Sequence, residues 1–267
     1  KYCERCNNVQ LSYVVPPSMM FDEYLYVSST SKSFREHFEL AADQYIKEFE
    51  LNSKSLVIDI GSNDGIFLKP LKENGINVVG VEPASNISKL ANDNGIETIN
   101  KYFNKDTVKE IIEKYGKADI VTASNVFAHS DELVNIVKST FSVLKENGVF
   151  IIEVQYLLDT IKDMTFDNIY HEHVNYWSVT SLNNFFKRLG LCLYKVEHID
   201  THGGSIRAYI KMEFSDIHES VDIFINNENE FGIDKYQTYK EFSNKLKNIK
   251  LNVNSNINLL KSKKKKI

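Results

Sequence analysis

Ile58-Asp59-Ile60-Gly61-Ser62-Asn63-Asp64-Gly65, followed by Val79-Gly80-Val81-Glu82-Pro83, is the part of the chain that decides its fold. The first stretch reads as a buried strand running into a tight glycine turn. A helix follows, then a second strand that ends in a carboxylate. Glycines at 61 and 65 let the backbone approach a ligand closely. Glu82, about twenty residues further on, stands where an acid accepts hydrogen bonds from both hydroxyls of a ribose. The unit predicts a nucleoside-containing cofactor.

Outward from this unit, strands and helices alternate. Residues 33–50 place Phe34, Phe38, Ala41, Ala42, Tyr45, Ile46 and Phe49 at three-four spacing, an amphipathic helix. Strands are expected over 55–60, 77–81, 96–99, 118–123 and 149–154, with helices over about 64–73, 86–94, 105–115 and 131–145. Short connections between them imply an α/β, Rossmann-like, doubly wound parallel sheet. A helix over 181–189 ends at Gly190. Strands at 191–198 and 206–212, joined through Gly203-Gly204, then predict a closing antiparallel hairpin. The expected organisation is a non-helical lead-in over 1–30, the α/β domain over 31–215 and a polar helical segment over 216–267.

The chain has 267 residues, 42% hydrophobic and 25% charged, enough for a full core. Its formal net charge is −4, although Lys261 and Lys263–Lys266 put five positive charges at one end. An acidic body with one basic tail is a poor nucleic-acid binder. No apolar run approaches the roughly 18 residues that span a bilayer, and the first ten residues are polar, so a cytoplasmic, non-membrane protein is expected. Three cysteines, Cys3, Cys6 and Cys192, do not make a disulfide framework.

The turn lacks the Gly-x-Gly-x-x-Gly of dinucleotide folds and the Gly-Lys-Ser/Thr of a P-loop. Asp59 and Asp64 would repel phosphates. A cofactor with a positive centre and no phosphate suits such a site, and S-adenosylmethionine fits, with Asp59 near its amino-acid end and Glu82 on its ribose. Asn125, after the fourth strand, falls where parallel sheets bind ligands. A second concentration of chemistry is Tyr170-His171-Glu172-His173, a histidine with a carboxylate and a phenol beside it, which reads as acid/base machinery. His129 follows strand four. His202-Gly203-Gly204-Ser205-Ile206-Arg207 adds a glycine turn, a hydroxyl and one of four arginines, a fork suited to an anionic or polyhydroxyl substrate. The plain alternatives are two incidental histidines and a hairpin turn with a surface arginine.

With these pieces in order the chain resembles the S-adenosylmethionine-dependent sugar C-methyltransferases that act on nucleotide-linked keto-deoxysugars. The resemblance rests on Cys3-x-x-Cys6 with Val9-Gln10-Leu11, on Tyr24-x-Tyr26-x-Ser28-Ser29-x-Ser31, and on Ile58 to Gly65 with Gly80 to Pro83. It continues through Asn125 to His129, Glu153-x-Gln155-Tyr156, Phe166 to His173 and His202 to Arg207. It implies that His173 is the general base at the carbon next to a ketone, with Glu172 orienting it. Tyr170 and Tyr24 would contact the sugar, His129 would line the sugar site, and Tyr26, His202, Ser205 and Arg207 would hold the substrate. Asp59, Gly61, Asn63, Asp64, Gly65, Glu82, Pro83 and Asn125 would form the cofactor site. The family's amino-terminal module binds Zn²⁺ through four cysteines; only Cys3 and Cys6 stand here, an incomplete set. Its second α/β domain would follow the last helix, so the chain is expected to be shortened at both ends.

Two other readings suit the same cofactor turn. One is an O- or N-methyltransferase, which needs no base for a carbon acid. The other is a binding remnant that takes the cofactor without its substrate.

Overall fold

The structure, a computed structural model, describes residues 1–201, 203–212 and 216–263. In chain order it contains β1 (Val9–Gln10), α1 (Ser18–Phe21), α2 (Lys32–Glu48), β2 (Leu56–Ile60), α3 (Leu68–Glu73), β3 (Asn77–Val81) and α4 (Ser85–Asp93). These are followed by β4 (Thr98–Ile99), α5 (Lys105–Tyr115), β5 (Ala118–Ser124), α6 (Leu133–Val143), β6 (Leu144–Gln155), α7 (Leu157–Lys162) and β7 (Asn175–Tyr176). The chain continues through α8 (Val179–Arg188), β8 (Cys192–Ile199), β9 (Ser205–Lys211), α9 (Ser220–Phe231) and α10 (Tyr236–Ser262). The main sheet runs β4-β3-β2-β5-β6-β9-β8. Its pairs are parallel from β4 to β6 and antiparallel from β6 through β9 to β8. This is the expected α/β, Rossmann-like sheet, with the expected antiparallel hairpin closing it.

The apolar pattern explains the layering. Every residue of β2 is buried, as expected of a central parallel strand covered on both faces. Alternate residues supply opposite cores. Val57, Ile120 and Ile151 join Phe38, Ala42, Tyr45, Phe67 and Leu71 beneath α2 and α3. Ile58, Val121 and Ile152 join Val108, Ile111, Val137, Leu182 and Phe186 on the other face. Helix starts follow local chemistry. Ser31 accepts from Phe34 N at the head of α2, Asn104 accepts from Asp106 N and Thr107 N at α5, and Ser178 and Ser181 cap α8 reciprocally.

Several boundaries differ from expectation. The helix expected from residue 64 begins at Leu68, because Gly65 takes a φ of 81°, which no right-handed helix accommodates. The strand expected at 149 begins at Leu144, where β6 pairs with Ala118 ahead of a register shift. The lead-in, expected to be non-helical, contains the single turn α1 behind Pro16-Pro17, and β1 pairs antiparallel with β7. Helix α9, beyond residue 215, packs on the body. The buried Glu228 carboxylate accepts from Val179 N (2.6 Å), Thr180 N (2.8 Å) and Thr180 Oγ1 (2.6 Å) at the head of α8. Among the described residues no helix is long and apolar enough to cross a membrane.

Candidate active site

The glycine turn leaves the C-terminal end of β2, where open α/β sheets bind ligands. Gly61 N donates to Val81 O (2.8 Å), and a Cβ on Gly61 would collide with Val126 Cγ2. A Cβ on Gly65 would stand 2.9 Å from the branched Ile96 side chain. Glu82 is buried at the tip of β3. Its Oε2 accepts from Asn63 N (3.0 Å) and its Oε1 from Ala84 N (2.9 Å). Burial pushes its pKa up while those two amides pull it down. A carboxylate offers about four acceptor positions, so capacity remains for two ribose hydroxyls. Pro83 adjoins it, its carbonyl accepting from Asn100 Nδ2 (2.7 Å).

Asp59 faces the α2 side of the sheet, its Oδ1 accepting from Thr122 Oγ1 (2.6 Å), and burial raises its pKa to about 7. Three buried polar atoms around the turn, Ser62 Oγ, Asp64 Oδ1 and Asn125 Oδ1, have no hydrogen-bond partner. Asn125 itself sits at φ 57°, its N–H on Glu153 O (2.8 Å). Unpartnered acceptors at the end of β2 and β5 fit a ligand that brings donors there, such as an amino group. The acceptor set suits S-adenosylmethionine.

The second cluster is assembled from distant segments. His173, 4% exposed, has Nδ1 2.8 Å from Asn168 O. Nδ1 therefore donates, and the neutral ring keeps its lone pair on Nε2. Around Nε2 lie Tyr170 Oη at 3.2 Å and Gln155 Nε2 at 3.5 Å. Burial lowers the His173 pKa, against the Asn168 carbonyl and the Glu172 charge. His129 stacks between Phe21 (5.8 Å) and His173 (5.0 Å). Tyr24 Oη donates to Glu172 Oε2 (3.2 Å). Burial, with the Glu172 charge next, raises the Tyr24 and Tyr170 hydroxyl pKa values, so both phenols stay protonated near neutrality. The structure thus brings Tyr24, His129, Tyr170, Glu172 and His173 together.

It does not bring the whole glycine-turn fork to the same place. Arg207, expected to grip a substrate, is 3% exposed and forks onto Glu153 Oε2 through Nε (3.3 Å) and Nη2 (3.1 Å), with Nη1 on Gln44 Oε1 (3.1 Å). His37 Nε2 lies 2.9 Å from the same carboxylate. Burial alone would raise the Glu153 pKa, but His37 and Arg207 hold it low. Ser205 is likewise buried, donating to Thr201 O (3.0 Å). Even spacing along β9 puts both residues on the sheet face covered by α2, the face of the buried Tyr209. His202 lies outside the described residues. Tyr26 is half exposed, and its carbonyl accepts from Asn63 Nδ2 (3.0 Å).

Cys3 and Cys6 are free thiols, and a hydrogen bond from Cys6 holds the Cys3 thiol below its usual range. Among the described residues no group of three or more His, Cys, Asp or Glu is placed to hold a metal. Two thiols do not satisfy the four-ligand preference of structural Zn²⁺. Sequence reasoning assigned no role to Phe21, Gln155 or the Asn168 carbonyl. Gln155 carried a signal, lying inside the quoted Glu153-x-Gln155-Tyr156; a backbone carbonyl carries none.

Comparisons with known proteins agree with this geometry. Residues 34–196 match the family described as a methyltransferase domain, and residues 200–267 match a C-methyltransferase C-terminal domain. The C-methyltransferase NovU of Streptomyces niveus is 34% identical over 243 residues, 90% of this chain and 58% of NovU. A ubiquinone biosynthesis O-methyltransferase of Bradyrhizobium diazoefficiens is 33% identical over 120 residues, 41% of this chain and 46% of that protein. The chain therefore spans little more than half of one relative and less than half of the other. The crystal structure of a SAM-dependent methyltransferase from Archaeoglobus fulgidus superposes with a TM-score of 0.55 at 19% identity, covering 66% of this chain and 94% of that one, which speaks to the fold alone. The fold, the glycine turn with its acid and the match over 34–196 lead to one assignment: the chain belongs to the S-adenosylmethionine-dependent methyltransferase family.

Proposed function

We propose that the chain methylates carbon: the carbon next to the ketone of a nucleotide-linked keto-deoxysugar, C3 of a 4-keto sugar. The observation that carries this reading is His173, a buried neutral imidazole whose Nδ1 is tied to Asn168 O while Nε2 keeps its lone pair beside the Tyr170 hydroxyl and the Gln155 amide. Transfer to oxygen or nitrogen does not require a base for a carbon acid. The name of NovU and the match of residues 200–267 support the same direction.

In this reading Asp59, Asn63, Asp64 and Asn125 surround the amino-acid end of the cofactor, Gly61 and Gly65 give it room, and Glu82 with Pro83 takes the ribose. When bound, S-adenosylmethionine supplies an electrophilic methyl group to the substrate carbon. His173 Nε2 takes the proton from that carbon, displacing the Tyr170 hydroxyl that rests on it. The C–H electron pair becomes the new carbon–carbon π bond and the carbonyl π pair moves onto oxygen, giving an enolate. Tyr170 donates to the enolate oxygen, and Tyr24, whose hydroxyl hydrogen is held by Glu172, accepts from the hydroxyl beside it. Glu172 fixes Tyr24, and the stacked His129 walls the sugar pocket, with Tyr26 at its rim. A lowered His173 pKa keeps the base unprotonated below its ordinary 6.5, so the acid limb of turnover should fall below that pH.

His173→Ala tests this directly. Wild type with S-adenosylhomocysteine should exchange the hydrogen on the carbon next to the ketone with deuterium from solvent. The variant should lose this exchange by about 10²-fold or more while calorimetry finds cofactor affinity unchanged. Turnover unaltered by the substitution would exclude base-catalysed carbon chemistry.

A further inference from the structure

Tyr24 is carried by residues 22–31, a strap that ends in a 3-10 turn at Ser28–Thr30 and crosses the cofactor side of the molecule before α2. Its attachments are unusual in kind. Asn86, on the first turn of α4, accepts from Tyr24 N through Oδ1 (3.1 Å) and donates to Tyr24 O through Nδ2 (2.7 Å). Asn63, in the glycine turn, donates through Nδ2 to Tyr26 O (3.0 Å) and accepts from Ser28 N through Oδ1 (2.9 Å). Each side-chain amide thus pairs with strap backbone as a neighbouring strand would. Ser85 N on Asp22 O (3.1 Å) and Tyr102 Oη on Asp22 Oδ1 (2.8 Å) pin the upstream end. Asn63 also donates its backbone N–H to Glu82, the acid of the cofactor turn. One residue therefore touches the ribose-side carboxylate with its backbone and the strap with its side chain.

We propose that Asn86 and Asn63 are positioning residues: their side-chain amides clamp the strap, hold Tyr24 against Glu172, and couple the acceptor side of the site to the cofactor turn. The role of Tyr24 here rests on the carbon-methylation reading. Asn86 carries the sharper test, because it is exposed and touches neither ribose acid nor base. Coupling is reciprocal, so a ligand on Glu82 steadies the strap and a steadied strap tightens the ligand.

Amide hydrogen exchange on the full chain reads the clamp without turnover. S-adenosylhomocysteine should slow exchange over residues 22–31 by about fivefold or more in wild type. Asn86→Ala should speed exchange there by about tenfold, with β2 and β3 unchanged. Asn86→Asp, which keeps the acceptor for Tyr24 N and loses the donor to Tyr24 O, should fall between. With a nucleoside-diphosphate 4-keto-6-deoxy sugar, Asn86→Ala should lower kcat about tenfold while the KM for S-adenosylmethionine rises by no more than about fivefold, the share that the reciprocal coupling carries. In a Tyr24→Phe background the same substitution should cost less than about twofold further. Equal exchange over 22–31 in wild type and Asn86→Ala overturns the clamp. So does a full additive loss in the Tyr24→Phe background. If no keto sugar is turned over by wild type, the carbon-methylation reading falls and the exchange measurements still decide the clamp.

Discussion

Asp59 lies under the cofactor turn with its carboxylate walled off from water, and its position has a pH signature. Its pKa is about 7 in the folded chain against an ordinary 3.8. The folded state therefore holds a proton that the unfolded state has released between those values, and stability drawn from the protonated form is full below 3.8 and lost as pH rises through 7. Asp59→Asn keeps an acceptor for Thr122 and cannot ionise. In scanning calorimetry without ligand, the variant should melt about 3–6 °C above wild type at pH 8, with the gap closing by pH 4. Parallel melting curves at both pH values would contradict the burial argument. At this scale the sequence was informative wherever residue type alone decides chemistry. Glu82, Gly61, Tyr170 and His173 were all legible as candidates. What Arg207 touches was not, because its partner Glu153 is 54 residues away and the face each occupies depends on register.

Among elements, β6, β9 and α2 meet at the buried pair Glu153–Arg207, with His37 and Gln44 from the helix closing over it. Removing one partner leaves an uncompensated buried charge, which typically costs about 3–5 kcal/mol. Glu197 Oε2, 3.6 Å from Arg207 Nη1, provides partial relief, so Glu153→Gln should destabilise by about 3 kcal/mol in denaturant unfolding. Replacing both members, Glu153→Met with Arg207→Met, should recover much of that loss. A double variant no more stable than the single would mean that the charges, rather than the packing, hold the three elements. Element type was readable where periodicity was strong, as in α2, β2, β3 and α5. Boundaries failed where backbone conformation overrode composition: the positive φ of Gly65 keeps α3 from starting at residue 64. Helix α9 lies within the helical segment expected over 216–267, but its docking on the body was not legible, because the side chain that anchors it is Glu228, a buried carboxylate serving another helix's N-terminus.

Across the whole molecule, the alternation of strand and helix was sufficient to predict the layered sheet and its closing hairpin. The meeting of Tyr24 with Glu172 and of His129 with His173 was expected only through the family resemblance, because these residues come from segments far apart in the chain. The paired β1 and β7 bring the lead-in back to the residues that follow His173. The glycine turn thus holds one end of the proposed reaction and the strap and the 168–173 loop hold the other. Incubation with S-adenosylmethionine bearing a ¹³C-labelled methyl and a panel of nucleoside-diphosphate 4-keto-deoxy sugars tests that arrangement most directly. Carbon-13 NMR of the product should show the labelled methyl bonded to the carbon beside the ketone, with that carbon's hydrogen lost. A label attached to oxygen or nitrogen would contradict the account.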